Sequence, residues 1–175
     1  MKIRIESATS YRGRNSRPNL AVLGVFVLLT LAVGGIGVVF SPAFSAATAA
    51  WYAALAKPGG VPPQQWFGPV WTVLYISMAI AAWMIWQERY HRGRSAALAA
   101  YVAQLLLNAL YAPAFFGLKS IGAALFVNIA LWIAVGWTLR EFARVRKAAA
   151  VILVPYMLWV SFATALTLSI WRLNS

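Results

Sequence analysis

Five long runs without a single charged residue dominate this sequence and restrict what it can fold into. They cover residues 20–40, 66–86, 95–118, 120–139 and 148–171. At 1.5 Å of rise per residue, a helix of about 20 residues crosses the hydrocarbon core of a bilayer. Because lipid offers no partners to backbone groups, such runs must be helical. We therefore predict an all-α integral membrane protein, a bundle of five transmembrane helices over residues 20–175, preceded by a polar basic tail at residues 1–19.

The composition supports the membrane assignment and excludes much chemistry. Hydrophobic residues make up 62% of the 175 residues and charged residues only 10%, against about a quarter in soluble domains. The chain has no cysteine, one histidine and three acidic residues. Disulfides, thiolate sites and a cysteine nucleophile are thereby excluded, and we predict neither a metal site nor a catalytic acid–base pair. Since no run holds His or Cys, we expect no axial ligand to a haem iron.

The distribution of basic residues predicts how the helices cross the membrane. Twelve Lys and Arg lie in the tail and in the connections after the second and fourth runs. The first and third connections and the C-terminus hold only Lys57, Lys119 and Arg172. This alternation follows the positive-inside rule and predicts a multi-pass protein with a cytoplasmic N-terminus and a C-terminus on the opposite side. The net charge of +12 then needs no nucleic-acid partner, and we expect none.

The N-terminal region also bears on localisation. A cleaved signal peptide is the alternative for the first run, but apolar regions of signal peptides span only about 7–15 residues. The short basic tail has no pattern typical of a transit peptide, so we expect a bacterial inner membrane.

Four of the runs carry aromatic or amide side chains at helical spacing. The sets are Trp71 with Tyr75, Gln104 with Asn108 and Tyr111, Asn128 with Trp132, and Tyr156 with Trp159 and Ala163. Residues three or four apart lie on one side of a helix, and amides at bilayer depth turn inward to find partners. The pattern indicates a cavity for a flat, largely apolar ligand with a few polar groups. Packing between helices is the alternative interpretation.

Small residues mark possible helix contacts. Gly34, Gly35 and Gly37 permit close approach of the first helix to a neighbour. Ala96, Ala99, Ala100 and Ala103 form a similar seam on the third run, which predicts close packing either within the monomer or across a homodimer.

Four segments resemble a known membrane family. They read WYAALAKPGGVPP, WFGPVWTVLYISMAIAAW, LNALYAPAFFGL and PYMLWVSFATAL with a following WRLN. In this order, over about residues 20–174, they are similar to the TspO/MBR family, also called translocator proteins, tryptophan-rich sensory proteins or peripheral-type benzodiazepine receptors. The resemblance implies a five-helix bundle, often dimeric, that binds porphyrins and, in animals, cholesterol and synthetic drugs.

The resemblance also implies site residues and a function. Its motif positions place Tyr52, Lys57, Pro62, Trp71, Tyr75, Asn108, Tyr111, Trp159 and Ala163 around a pocket closed by the connection between the first two spans. The helical spacing described above adds Asn128 and Trp132 to these predicted pocket residues. The implied function is a membrane receptor or carrier for porphyrins, with a sensory, transport or scavenging role and no required cofactor. The alternatives are light-dependent oxidative breakdown of porphyrin through Trp71 and Trp159, and sterol or lipid translocation.

The predicted lid over this pocket differs from that of its relatives. Gly59–Gly60–Val61 stands where family members commonly carry a bulky residue, so we expect a looser lid. Asn128 stands where an Asp is frequent, which removes a charge from the membrane interior.

Overall fold

The structure, a computed structural model, describes residues 19–175, so all but the last residue of the predicted tail lies outside the described part. Every regular element in this part is helical. The elements are α1 (Leu20–Phe40), α2 (Ala46–Ala54), a 3-10 turn (Gln64–Trp66), α3 (Phe67–Gln87), α4 (Arg94–Ala112) with a π-helical extension (Pro113–Gly117), α5 (Ile121–Val145) and α6 (Lys147–Leu173). Five of the helices are long and apolar enough to cross a membrane, which confirms the predicted fold class.

Side-chain caps explain where several helices begin. Asn19 accepts a hydrogen bond from the backbone N–H of Val22 (3.3 Å), and Ser120 accepts one from Ala123 (3.4 Å). Such caps satisfy N–H groups that have no partner inside the helix. Ser45 does the same for α2, a separate short helix within the first connection.

The fourth span continues past Arg140, the charged residue before which the predicted run ends. The predicted run stops at residue 139, yet α5 reaches Val145. Phe142 is completely buried and Glu141 is 7% exposed. Arg144 donates to the Glu141 carboxylate at 2.7 Å. The helix therefore extends to Val145 because its last turns still pack on the bundle and because Arg144 neutralises the charge of Glu141 on the same helix.

The bundle is closely packed at the end that carries the connection between α3 and α4. Small and large side chains fill it without exposure, among them Met78, Ala82, Ile85, Val135 and Phe142. The alanines predicted as one seam divide here between two environments. Ala100 is completely buried within the chain and Ala103 is half-buried, whereas Ala96 and Ala99 are exposed.

At the opposite end of the bundle, a glycine on α1 makes room for an aromatic ring on α3. A Cβ atom at Gly34 would lie 2.6 Å from Cε2 of Tyr75, whereas one at Gly35 would meet nothing within 4 Å. The sequence correctly identified a close helix approach on α1, and the structure assigns it to Gly34.

This contact gives a first prediction. Gly34→Ala should lower the free energy of unfolding by about 1–3 kcal/mol, because the methyl group forces the Tyr75 ring out of its packed position. Gly35→Ala is the matched control and should be neutral or slightly stabilising, since Ala is the better helix former. Denaturant titration of both variants in detergent measures the difference. Equal stability of the two variants would contradict the assignment.

A candidate ligand cavity among the helices

A cavity of about 680 Å³ lies in the half of the bundle next to the first connection. All five long helices, α2 and residues 41–43 and 64–65 contribute to its wall. Ligand sites in proteins typically measure about 300–1,000 Å³. The cavity is therefore large enough for a small organic ligand.

Two tryptophans from different helices form an aromatic wall of this cavity. The Trp71 and Trp159 rings meet edge to face, with centroids 6.4 Å apart and planes at 88°. Tyr75 stacks on Trp71 at 5.3 Å, and Phe67 packs against Trp159 at 5.7 Å. Such aromatic contacts stabilise one another by about 0.5–1.5 kcal/mol per pair beyond area burial. The wall is thus held rigidly enough to present flat surfaces to a ligand.

The indole N–H groups of this wall are free within residues 19–175. Neither Trp71 nor Trp159 makes a hydrogen bond through its ring nitrogen there, although both side chains line the cavity. By contrast, Trp132 donates to Ser161 (2.9 Å) and Trp83 to the carbonyl of Asn19 (3.2 Å). Two indole N–H groups on cavity-lining side chains are thus left without a protein partner in this part of the chain.

A chain of buried hydrogen bonds forms the floor of the cavity. Tyr75 donates to Oδ1 of Asn108 (2.7 Å), Nδ2 of Asn108 donates to Tyr156 (3.0 Å), and Tyr156 donates to Oε1 of Gln104 (2.9 Å). Each hydroxyl has one hydrogen, so the chain runs in a single direction. It fixes the orientation of the Asn108 amide and ties α3, α4 and α6 together at bilayer depth.

Asn128 brings a second amide to the cavity. Its side chain lines the cavity and is 2% exposed, yet its Nδ2 has no hydrogen-bond partner among the described residues. Leaving such a buried donor without a partner costs about 1–3 kcal/mol. Because most buried polar groups have partners, this amide indicates a place where a ligand would supply one.

The first connection closes the cavity through an aromatic cluster. Trp51 and Tyr52 of α2 pack edge to face on Phe115 at 5.6 and 6.2 Å, and Tyr52 also meets Phe116 at 5.8 Å. Consecutive residues are 100° apart in an α-helix, but the wider π turn lets both phenylalanines face α2 and the cavity. Tyr111 stacks on Phe115 and hydrogen-bonds to Thr167 at 2.9 Å.

Lys57 and Pro62 lie in this connection but do not line the cavity. Nζ of Lys57 donates to the carbonyls of Leu55 (3.0 Å) and Ala53 (3.3 Å) and lies 4.7 Å above the Tyr52 ring. A cation at a helix C-terminus satisfies free carbonyls there, so Lys57 acts as a cap of α2. Burial raises the pKa of Tyr52 above its ordinary value, so this phenol is even less ionised at physiological pH.

Trp132 also lies outside the cavity. Its ring is 42% exposed and its N–H is bonded to Ser161 of α6. On α5 the cavity is lined by Asn128 and by Leu131, three residues later. Positions i+3 and i+4 deviate to opposite sides of a helix face, and here the cavity follows the i+3 side. The spacing argument chose the wrong neighbour of Asn128.

Eight of the eleven predicted site residues line one cavity. They are Tyr52, Trp71, Tyr75, Asn108, Tyr111, Asn128, Trp159 and Ala163. The prediction missed the contribution of α1, which includes Leu31, Gly34 and Val38, and it missed Phe67 and Phe115. The glycines of α1 were the available signal. They indicated close packing but could not indicate an open space beside it.

The cavity wall is neutral. None of its described residues is Lys, Arg, Asp, Glu or His. Within residues 19–175, no group of His, Cys, Asp or Glu residues could hold a metal ion. The arrangement can therefore bind through aromatic contact and neutral hydrogen bonds.

Comparison with known proteins agrees with the helix pattern and the cavity. A profile described as the TspO/MBR family matches residues 26–172. The chain is 38% identical to the tryptophan-rich protein TspO of Chlorobaculum tepidum, over 89% of this chain and 97% of that protein. It is 34% identical to protein CrtK of Rhodobacter capsulatus, over 89% and 94% of the two chains. It is 36% identical to the human translocator protein, over 71% and 75%.

Proposed function

Because this chain belongs to the TspO/MBR family of multi-pass membrane proteins, we propose that it binds a porphyrin or a similar flat tetrapyrrole in the cavity between its helices. The observation that carries the proposal is the pair of cavity-lining indoles, Trp71 and Trp159, which form an edge-to-face aromatic wall and whose N–H groups have no partner among the described residues. A porphyrin is a flat apolar macrocycle, so stacking on or against these rings would bury its surface.

The polar groups of the cavity have distinct roles in this proposal. Asn108 and Asn128 would donate to acceptors on the ligand through amide hydrogens that have no partner among the described residues. Tyr52, Tyr75 and Tyr111 would border the ring, and the small side chain of Ala163 would leave room for it on α6. Recognition would then depend on shape and on neutral hydrogen bonds.

The ionised propionates of a porphyrin would stay at the mouth of the cavity, because its described wall has no cation to pair with them. Lys57 is engaged in capping α2, and Arg172 is exposed at the end of α6. The described wall also has no His, Cys or Met to ligate the iron of a haem. We therefore expect metal-free porphyrin to bind at least as tightly as haem.

The biological role that we propose is that of a sensor, carrier or scavenger. The names of the relatives, tryptophan-rich sensory protein and translocator protein, support a role of this kind. The protein would lie in a bacterial inner membrane with its N-terminus in the cytoplasm. Single cysteines introduced at position 57 or position 92, which lie at opposite ends of the bundle, would test that orientation when they are labelled.

A homodimer is a further part of the proposal. The exposed Ala96 and Ala99 on α4 would allow two chains to approach closely. Substituting both with leucine should shift a dimer toward monomer in detergent, as measured by light scattering. An unchanged mass would remove this interface.

The direct test of ligand binding is a titration of the purified protein in detergent. Protoporphyrin IX should quench tryptophan fluorescence with saturation at one ligand per chain, and haem and cholesterol serve as competitors. Displacement of the porphyrin by cholesterol would favour the sterol alternative. A failure of any tetrapyrrole to bind saturably would overturn the proposal.

Light-dependent breakdown of the bound porphyrin is a second candidate function. Trp71 contacts Trp159, Tyr75 and Tyr156, so oxidisable rings lie next to the proposed ligand. Illumination would let an indole pass an electron through the excited ring to dioxygen. Addition of the reduced dioxygen across a methine C–C bond, with return of the electron to the indole radical, would cleave that bond and leave both oxygen atoms as carbonyl groups of the opened ring. A new bilin-like absorption that needs both light and dioxygen would support this activity. An unchanged spectrum would exclude it.

A further inference from the structure

Asn174, at the end of α6, joins this helix to the connection that closes the cavity. Its Oδ1 accepts from the backbone N–H of Ala56 (3.0 Å), and its Nδ2 donates to the carbonyl of Ala56 (2.9 Å) and to that of Ile170 (2.7 Å). A carboxamide has two N–H hydrogens and one oxygen. Every polar group of this side chain is therefore used, and two of its three bonds reach a residue 118 positions away.

The contact holds the end of α2, the helix that carries Tyr52. Ala56 lies two residues beyond the last residue of α2. On its other side, α2 packs through Trp51 and Tyr52 on the π turn. The residues that follow are poorly supported, since Gly59 and Gly60 have open space around them. The Asn174 amide thus anchors the lid two residues beyond α2, shortly before this open stretch.

We propose that Asn174 is a positioning residue of the cavity: by clamping Ala56, it holds α2 and Tyr52 over the ligand and slows ligand release. The inference rests on the proposed function for its ligand. It follows from geometry, since α6 contributes Trp159 and Ala163 to the same cavity. The Asn174 side chain therefore connects α6, which would contact the ligand, to α2, which would close the lid.

Two variants separate this role from general damage. Asn174→Asp keeps the shape of the side chain but removes both donors and places an oxygen against two carbonyls. Ala56→Pro removes only the backbone N–H of residue 56, which donates a hydrogen bond to Oδ1 of Asn174. The preceding Leu55 has an extended conformation (ψ 137°), which is compatible with a following proline. Ser175→Ala is the control, because within residues 19–175 the Ser175 hydroxyl bonds only to the carbonyl of Trp171 in α6.

The measurements are stopped-flow binding and release of protoporphyrin IX, and hydrogen–deuterium exchange of residues 46–56 without ligand. We expect the dissociation rate to rise about 10-fold in Asn174→Asp and about 3- to 10-fold in Ala56→Pro. The association rate should change less than about twofold, because most affinity changes within one site lie in dissociation. Amide exchange in α2 should accelerate in both variants and stay unchanged in Ser175→Ala.

The outcomes are distinguishable. If the wild-type protein binds no tetrapyrrole, the proposed function fails, and the exchange experiment still tests the clamp. Unchanged release in both variants would overturn the inference. Faster release in Asn174→Asp alone would support it through the bond from Nδ2 to the Ala56 carbonyl, which Ala56→Pro keeps, provided that exchange in α2 also accelerates in Asn174→Asp. Unchanged exchange in α2 in both variants would overturn it as well.

Discussion

Replacing Trp71 and Trp159 together by phenylalanine is expected to weaken protoporphyrin binding by about 30-fold or more. Each substitution removes a free indole N–H and part of an aromatic surface. A lost hydrogen bond and a weakened aromatic contact together cost about 1–2 kcal/mol per site. Phenylalanine still fills much of the space, so the bundle should keep its fold. The measurement is a porphyrin titration that follows ligand absorbance, since the substitutions alter protein fluorescence.

Trp132→Phe is the matched control for this prediction. It makes the same chemical change on a tryptophan that is 42% exposed and bonded to Ser161 on the outer surface. Its porphyrin affinity should stay within about twofold of the wild type. If the double variant binds as tightly as this control, the ligand does not use the indole wall, and the assignment of the cavity is wrong.

The number and type of the helices could be predicted from the sequence because the bilayer imposes a simple rule. A run of uncharged residues long enough to cross the hydrocarbon core must form a helix there. The rule is less informative at helix ends, where charged residues can remain helical. The extension of α5 to Val145 depends on the local Arg144–Glu141 pair and on the burial of Phe142. Only the burial of Phe142 is a tertiary contact, which the pattern of charged residues does not indicate.

Much of the cavity could be predicted because residues four apart must share a helix face. Trp71 with Tyr75 and Trp159 with Ala163 line the cavity as that spacing indicates. The argument failed where a small rotation decides the outcome, as with Trp132. It could have found Phe115, four residues after Tyr111, but not Phe116, because the π turn of Pro113–Gly117 changes the periodicity there. Spacing alone contains neither the rotation of a helix nor such a local change.

The role of Lys57 shows a different limit of sequence reasoning. A lone cation in a lid suggests a partner for an anionic ligand group. In the structure, the free carbonyls of Ala53 and Leu55 compete for the same ammonium group and are only two to four residues away. Such local partners need little ordering of the chain, so they take precedence over a distant ligand. The residue type predicted a positive charge near the cavity but could not predict the backbone carbonyls that already bind it.

Removing the central amide of the cavity floor should affect both stability and binding. In Asn108→Leu, the hydroxyl of Tyr75 loses its acceptor and that of Tyr156 loses a donor. An unpaired buried group costs about 1–3 kcal/mol in soluble proteins, and hydrogen bonds measured in membrane proteins average about 0.6 kcal/mol. We expect a loss of about 1–3 kcal/mol in the free energy of unfolding and about a 10-fold weaker porphyrin affinity. Denaturation in mixed detergent and ligand titration measure the two effects.

Combining this change with Tyr75→Phe separates the two effects, because the double variant removes both partners of the broken bond. Tyr156 keeps its bond to Gln104, so its hydroxyl still has a partner. The double variant should therefore regain part of the stability that Asn108→Leu loses, while porphyrin binding stays weak because the amide donor is still missing. If its stability loss equals the sum of the two single losses, Tyr75 and Asn108 are not coupled. The hydrogen-bond chain would then contribute packing alone to the cavity floor.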